Sequence, residues 1–327
     1  MRNWTLTFLD VGQGDATHLL LPDGSSIFID TGPDVSAASP VVWWAKGYGH
    51  GSIRSIVITH NHIDHFGGLM SLAGDKTIQI GEVYLNRDQV FDDRSSHLDF
   101  WELYASLKKR EARGETKIYM ARAGTVVYSD GNLELRVLYP QGISHPCPDD
   151  PNVTSMVLAL YRVGALSQPI IAWGGDAHLA DVIAALGGAR PNLLMGPHHG
   201  SPQDIRSANG YKTLLSSSCP GCVFASLGGK YKSQPKRQYV MAVSAQKSAW
   251  CCSQVSEQCQ VIKNGKPQQT DVYKGSALLG VRYPSGVFEC RGSMRVSVDA
   301  NGVLHTDMHQ GRFLQRVRAL VPRRHCN

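Results

Sequence analysis

The chain has 327 residues, of which 42% are hydrophobic and 18% charged, a balance that excludes a disordered chain and leaves room for one large domain or two modest ones. Its formal charge of +6 suits an anionic partner without requiring one, since many basic proteins touch no nucleic acid. No run approaches the roughly eighteen uncharged apolar residues of a membrane-spanning helix, so none is expected.

Trp4, Leu6 and Phe8 alternate with threonines, the period-two pattern of a half-buried strand. Met1-Arg2-Asn3 leads straight into it, without a signal peptide's apolar core, so a cytoplasmic location is expected. Asp10-Val11-Gly12-Gln13-Gly14-Asp15 reads as a turn, its glycines open to backbone angles that other residues avoid. Strands are expected from His18 to Leu21 and from Ile27 to Asp30, joined around Pro22-Asp23-Gly24. A helix near Val41 to Tyr48 precedes a β-branched strand from Ile53 to Thr59.

Val83 to Leu85 is the next strand. Residues 96–113 follow a helical period, with Leu98, Trp101, Leu103 and Leu107 as its apolar positions. After Gly114 come strands at Leu133 to Tyr139, Met156 to Tyr161, Ile170 to Trp173, Leu193 to Met195 and Val223 to Leu227. Helices near Ala177 to Leu186 and Asp204 to Leu215 interrupt them, and this alternation predicts a layered sheet–helix architecture. Beyond about Cys251 short strands and turns run to Asp307. Arg312 to Val321 is helical by period, with Phe313, Leu314, Val317, Leu320 and Val321 on one stripe and three arginines off it.

The strongest chemical signal is Thr59-His60-Asn61-His62-Ile63-Asp64-His65-Phe66-Gly67-Gly68, at the mouth of a predicted strand. Imidazole and carboxylate together suit zinc, manganese or iron. One ion cannot easily take all four ligands from so short a loop. Two can, with His60 and His62 on one and Asp64 and His65 on the other. A solvated polar loop is the competing reading, and the spacing of the four groups argues against it.

This run resembles the His-x-His-x-Asp-His signature of the metallo-β-lactamase superfamily. The resemblance implies an αβ/βα four-layer sandwich with a two-metal site at one edge of its sheets. It also implies that Asp30 supports the histidine loop from behind, that Asp176 bridges the metals, and that one histidine of His198-His199-Gly200-Ser201 completes the second site. His199 is favoured as that ligand, with His198 near the substrate phosphate. Taken singly, Asp176 also reads as a helix N-cap and the histidine pair as an exposed turn.

Asp10 to Ala16, Asn152 to Leu158, the Gly-Gly-Asp at 174–176 and Pro197 to Ser201 are similar to the cytoplasmic domain of ComEC, the DNA-uptake competence protein. That likeness covers roughly residues 3 to 235. Two departures stand out. The superfamily's mid-chain histidine has no counterpart, Asn152 standing in that region and His145 being a weak substitute, so the first metal is expected to be one protein ligand short. Gln234 also stands where a histidine is common.

These likenesses imply a catalytic domain over 1–250, with a β-rich extension and basic terminal helix over 251–327 packed on it. The expected activity is a two-metal nuclease that hydrolyses DNA through a metal-bound hydroxide, with Asp64, His198 and Lys232 as catalytic groups. DNA is favoured over RNA. A phosphodiesterase for a small substrate, such as a cyclic nucleotide or phosphocholine ester, is the alternative, and a metal-stabilised binding module without turnover is the third.

Lys230, Tyr231, Lys236 and Arg237, around Lys232, combine phosphate neutralisation with stacking, as a nucleic-acid groove requires, although a solvated surface loop has the same composition. Eight cysteines are too few for a disulfide scaffold. Cys219 and Cys222, with Cys251, its neighbour Cys252 and Cys259, are a candidate structural zinc site, against the commoner reading of free thiols.

Overall fold

The computed structural model describes residues 3–33, 39–48, 51–86, 98–141, 150–201, 210–226, 234, 237–246, 249–253, 260–263, 266–269 and 293–306. Its first half runs β1 (Trp4–Phe8), β2 (Ala16–Leu20), β3 (Ser26–Thr31), α1 (Pro40–Tyr48), β4 (Ser52–Val57), α2 (Ile63–Gly74), β5 (Gln79–Asn86), α3 (Leu98–Ala112) and β6 (Lys117–Ala121). Then come β7 (Val126–Ser129), β8 (Leu133–Tyr139), β9 (Val157–Arg162), β10 (Pro169–Trp173), α4 (Leu179–Leu186), β11 (Leu193–Met195), α5 (Gly210–Ser218), β12 (Cys222–Ala225), α6 (Arg237–Ala245) and β13 (Ala249–Cys252). The hairpin β14 (Gln260–Lys263) and β15 (Lys266–Gln269) precedes β16 (Met294–Val298) and β17 (Leu304–Thr306).

Among the described residues, one sheet has the order β17-β16-β1-β2-β3-β4-β5-β6 and the other β13-β12-β11-β10-β9-β8-β7. Alternation along each strand sends side chains to two different cores. Leu6, Phe8, Ile29, Trp173 and Phe224 meet between the sheets. Phe28, Ile56 and Val83 face the opposite way, onto Trp44, Phe66 and Leu107 of the first three helices. Ala172 and Val223 face Val182, Leu214 and Tyr239 of the last three. The result is the expected αβ/βα four-layer sandwich.

Strands β3 to β6 run parallel, as do β10 to β13. Their carboxyl ends therefore send loops from both sheets to one edge of the sandwich, where open parallel sheets generally place ligand sites. The C-terminal β16 pairs antiparallel with β1, Trp4 opposite Val298 and Phe8 opposite Met294, so the end of the described chain completes the first sheet. β13 runs across residue 250 and extends the second.

Most expected elements are present within a residue or two, with instructive differences. The third helix buries Phe100, Leu103, Leu107 and Arg110, whereas Leu98 is 63% exposed. Its apolar stripe is thus rotated from the expected one. Helices α2 and α6 and strands β6 and β7 had no expectation. The helix expected from Asp204 begins, among the described residues, at Gly210. The terminal segment 312–321 lies outside the described residues.

Candidate metal centre

The loop leaving β4 and the first turn of α2 carry the whole first motif. His60 follows the strand, His62 occupies the N-cap position of α2, and Asp64 and His65 lie in its first turn. This placement needs α2 pressed onto β3. A Cβ on Gly68 would run into the Thr31 carbonyl. Thr31 Oγ1 donates to the His65 carbonyl at 3.0 Å and accepts from Leu69 N at 2.9 Å, locking the first turn. The Asp10–Asp15 turn closes from above, with Asp15 N donating to the Asp64 carbonyl at 3.2 Å. A Cβ on Gly14, whose φ is +130°, would strike that same carbonyl.

Asp30, at the end of β3 with φ +53°, organises the histidines. Its Oδ1 accepts from Thr59 N at 2.7 Å. Its Oδ2 accepts from Thr59 Oγ1 at 2.7 Å and from His65 Nδ1 at 2.8 Å. Burial pushes the Asp30 carboxyl upward, while His65 and Thr59 pull against it.

The proton positions follow from these partners. A carboxylate only accepts, so His65 carries its proton on Nδ1 and directs Nε2 inward. Thr59 has one hydroxyl proton and gives it to Asp30. Its oxygen can therefore only accept from His60 Nδ1, 3.1 Å away, which leaves His60 Nε2 bare. His199 Nδ1 donates to the Ser226 carbonyl at 3.1 Å and lies 3.3 Å from Asp15, so its Nε2 also faces inward.

Asp176 occupies the middle. Oδ2 lies 3.7 Å from His60 Nε2 and 3.6 Å from His198 Nε2. Oδ1 lies 3.3 Å from His65 Nε2 and 3.7 Å from His199 Nε2. On the first side His62 Nδ1 is 3.0 Å from His60 Nε2; on the second, Asp64 Oδ2 is 3.7 Å from His199 Nε2. Asp176 is held by its own N–H, which donates to Ser155 Oγ at 3.0 Å, and Ser155 Oγ also lies 3.3 Å from His60 Nδ1.

This donor set fits divalent cations. His65 Nε2, His199 Nε2 and Asp176 Oδ1 are buried without a hydrogen-bond partner, and orphaned polar atoms that converge are costly unless something satisfies them. The groups His60-His65-Asp176 and Asp64-His65-His199 each offer ligand atoms within 4.8 Å of one another. A protein with no cation there must protonate instead. Burial disfavours charge on His65 and His199, but Asp176 with Asp30, and Asp15 with Asp176, outweigh it and hold both well above the usual histidine range. Burial likewise opposes ionisation of Asp176, yet the surrounding histidines hold it well below the carboxylate range. Burial keeps His60, His62 and His198 low, hence neutral and able to donate lone pairs.

The N-cap of α4 is His178, so Asp176 is not a cap. His199 is 2% exposed, which excludes an exposed turn for it. His198 and His199 both take left-handed backbone, φ 50° and 53°, uncommon for residues with a Cβ and often found at functional sites. Asn152 is buried in the 3-10 turn Pro151–Thr154, three residues before Ser155. The sequence reading missed Asp15, Thr59, Ser155 and Ser226. Asp15, Thr59 and Ser155 lay inside stretches singled out for their likeness to known families, but were given no role of their own, and Ser226 stood in a predicted strand.

Lys230, Tyr231, Lys232, Lys236 and His145 lie outside the described residues, and Arg237 opens α6. Gln234 Oε1 accepts from Gln13 Nε2 at 3.0 Å, joining its segment to the Asp10–Asp15 turn. Cys219 and Cys222 are free of disulfides. Cys251 stands opposite Phe224 on the neighbouring strand, two residues along from Cys222, and Cys259 lies outside the described residues.

The pattern of the family described as Metallo-beta-lactamase superfamily matches residues 9–118. A "UPF0173 metal-dependent hydrolase" from Chloroflexus aurantiacus is 36% identical over 72 residues, 22% of this chain and 28% of that protein. The chain thus spans little more than a quarter of that curated relative. Among solved structures, a diphosphatase from the PhnP family has 14% identity and a TM-score of 0.40, over 68% of this chain and 85% of the other. Unliganded yeast PDE1 has 12% identity and a TM-score of 0.44, over 77% and 97%. The family match, residues 9–118, takes in the strand at whose end Asp30 stands and the whole histidine loop His60 to His65.

Proposed function

We propose that the protein is a two-metal phosphodiesterase and that its substrate is nucleic acid, with DNA favoured. The observation that carries the reading is the division of ligand atoms between the two oxygens of Asp176: His60, His62 and His198 gather on one side, and Asp64, His65 and His199 on the other. Zinc, manganese or iron suits this donor set. When bound, a pair of such ions supplies Lewis acidity toward a phosphoryl oxygen and acidifies a water.

The chain's own residues prepare the ground for that chemistry. Asp30 fixes the tautomer of His65, Thr59 that of His60, and the Ser226 carbonyl that of His199, a kind of support that commonly tunes ligand basicity. His198, its side chain 15% exposed, is the histidine of the pair that a substrate phosphate reaches, while His199 is sealed at 2%. This supports His199 as ligand and His198 at the boundary between metal and substrate. The ComEC-like motifs at 10–16, 152–158, 174–176 and 197–201 favour DNA, as does the basic run from Lys230 to Arg237.

The test strips the protein with a chelator and restores Mn²⁺ or Zn²⁺. Linear, circular and single-stranded DNA are then offered beside bis-p-nitrophenyl phosphate and cyclic dinucleotides. Metal-dependent cleavage of DNA is expected, abolished by Asp176→Ala. Cleavage of the small esters alone moves the reading to a small-substrate phosphodiesterase. Metal binding without turnover on any of them overturns the enzyme reading and leaves a binding module.

A further inference from the structure

We infer a second binding site at the opposite end of the first sheet, suited to a small molecule that carries several phosphate groups. It is independent of the hydrolase reading. The candidate metal centre lies beyond the carboxyl ends of the strands. At their amino ends, where β4, β5 and β6 start with Ser52, Gln79 and Lys117, a cavity of about 1130 Å³ opens beside the last turns of α2 and α3. That volume slightly exceeds the roughly 300–1,000 Å³ usual for small-molecule sites.

Its lining includes Arg54, Lys76, Arg110, Arg113 and Lys117 against two carboxylates, Glu82 and Glu115. Both carboxylates are engaged. Glu82 accepts from Ser55 Oγ at 2.9 Å and Tyr84 OH at 3.1 Å, and Glu115 takes both arms of Arg113 at 2.5 and 3.0 Å. Arg54 lies over the Tyr128 ring at 5.0 Å and bonds to Asp23. Lys76 and Lys117 enter no ion pair among the described residues.

Arg110 is the anchor. Only 9% exposed, it donates from Nη1 to the Ala73 carbonyl at 3.0 Å and from Nη2 to the Ile78 carbonyl at 3.2 Å. Its Nε is buried without a hydrogen-bond partner, with the nearest Glu115 oxygen 3.7 Å away. Glu115 is shared between Arg110 and Arg113, so the two guanidiniums keep one positive charge in excess beside the cavity, which an anion there relieves. One fixed guanidinium and two uncommitted lysines around so large a space match separated phosphate oxygens better than one small anion.

The experiment titrates the full, metal-loaded protein with inorganic tripolyphosphate, and separately with adenosine triphosphate, by calorimetry at constant ionic strength. The variant is Lys76→Ala/Lys117→Ala, and Lys109→Ala/Arg122→Ala removes equal charge from outside the cavity. Binding is expected to weaken about tenfold or more in the first variant and to persist in the second. Equal affinity for the two probes assigns recognition to the phosphate chain, and tighter nucleotide binding adds a contact to the nucleoside; either supports the site. The proposal falls if the parent binds neither probe, or if the lysine pair changes nothing, since the phosphate then sits at the metal centre. Equal weakening in both variants also overturns it, because diffuse charge then explains the binding.

Discussion

At the scale of single residues, the centre is governed by which nitrogen of each histidine carries the proton. Asp30 receives three donors, so Asp30→Asn turns an amide N–H toward at least one of them and releases His65 from its tautomer. Outer partners of this type are worth about 10–100-fold in metal affinity, and a loss of that size is expected. Competition against a chromophoric chelator measures it; an unchanged affinity would remove Asp30 from the account. Asp15→Asn should lose less, because its contact to His199 is longer, at 3.3 Å, and the Ser226 carbonyl still holds the tautomer. Asp30 was legible as the residue ending an early strand. Asp15 stood in a stretch noted for its likeness to ComEC, but its role was not legible, because it depends on a histidine 184 positions later arriving beside it.

Among the elements, α3 shows how a periodic pattern can be read a step out of phase. Leu98, Trp101, Leu103 and Leu107 look like a stripe, but the described helix begins at Leu98 and turns Phe100, Leu103 and Leu107 inward. Leu107→Ala is therefore expected to cost about 2–5 kcal/mol, whereas Leu98→Ala should stay within about 0.5 kcal/mol. Urea unfolding of the two variants decides it, and equal losses would contradict this orientation. α2 escaped notice for a different reason. Its first two turns hold Asp64, His65 and Gly67-Gly68, which serve the site and its close packing on β3 rather than helix propensity. β6 went unread because its pattern is half-exposed, Lys117 and Tyr119 pointing outward at the sheet's edge.

For the molecule as a whole, stability is linked to pH through His18, sealed between sheet and helix. Its Nε2 lies 2.9 Å from Ser26 Oγ, and its ring packs on Phe28 and Trp44 at 4.9 and 6.0 Å. Burial first, and the charge of Arg295 second, push its pKa from 6.5 down to about 3. Between those values the unfolded chain binds the extra proton, so His18's contribution is complete above about pH 6.5 and is lost as pH falls toward 3. The limiting slope is about 1.4 kcal/mol per pH unit. In chelated protein, denaturation midpoints of the parent should fall more steeply from pH 7 to 4 than those of His18→Leu; parallel profiles would refute the link.

Taken alone, the amino-acid sequence specified the strand-rich start, the alternation that builds a sheet–helix sandwich, and the metal-binding character of His60 to His65. Those features are local: strand and helix periods repeat within ten residues, and four ligands sit within six. Tertiary structure decided which ordinary residues serve them. Ser155, Ser226 and Asp15 acquire their roles only because the segment entering β9 and the loops leaving β10, β11 and β12 meet the Asp10–Asp15 turn and the loop leaving β4 at one edge. It also decided that β16, almost three hundred residues along, pairs with β1. A hydrogen bond between distant segments depends on where two backbones come to rest, and no spacing along the chain encodes that position.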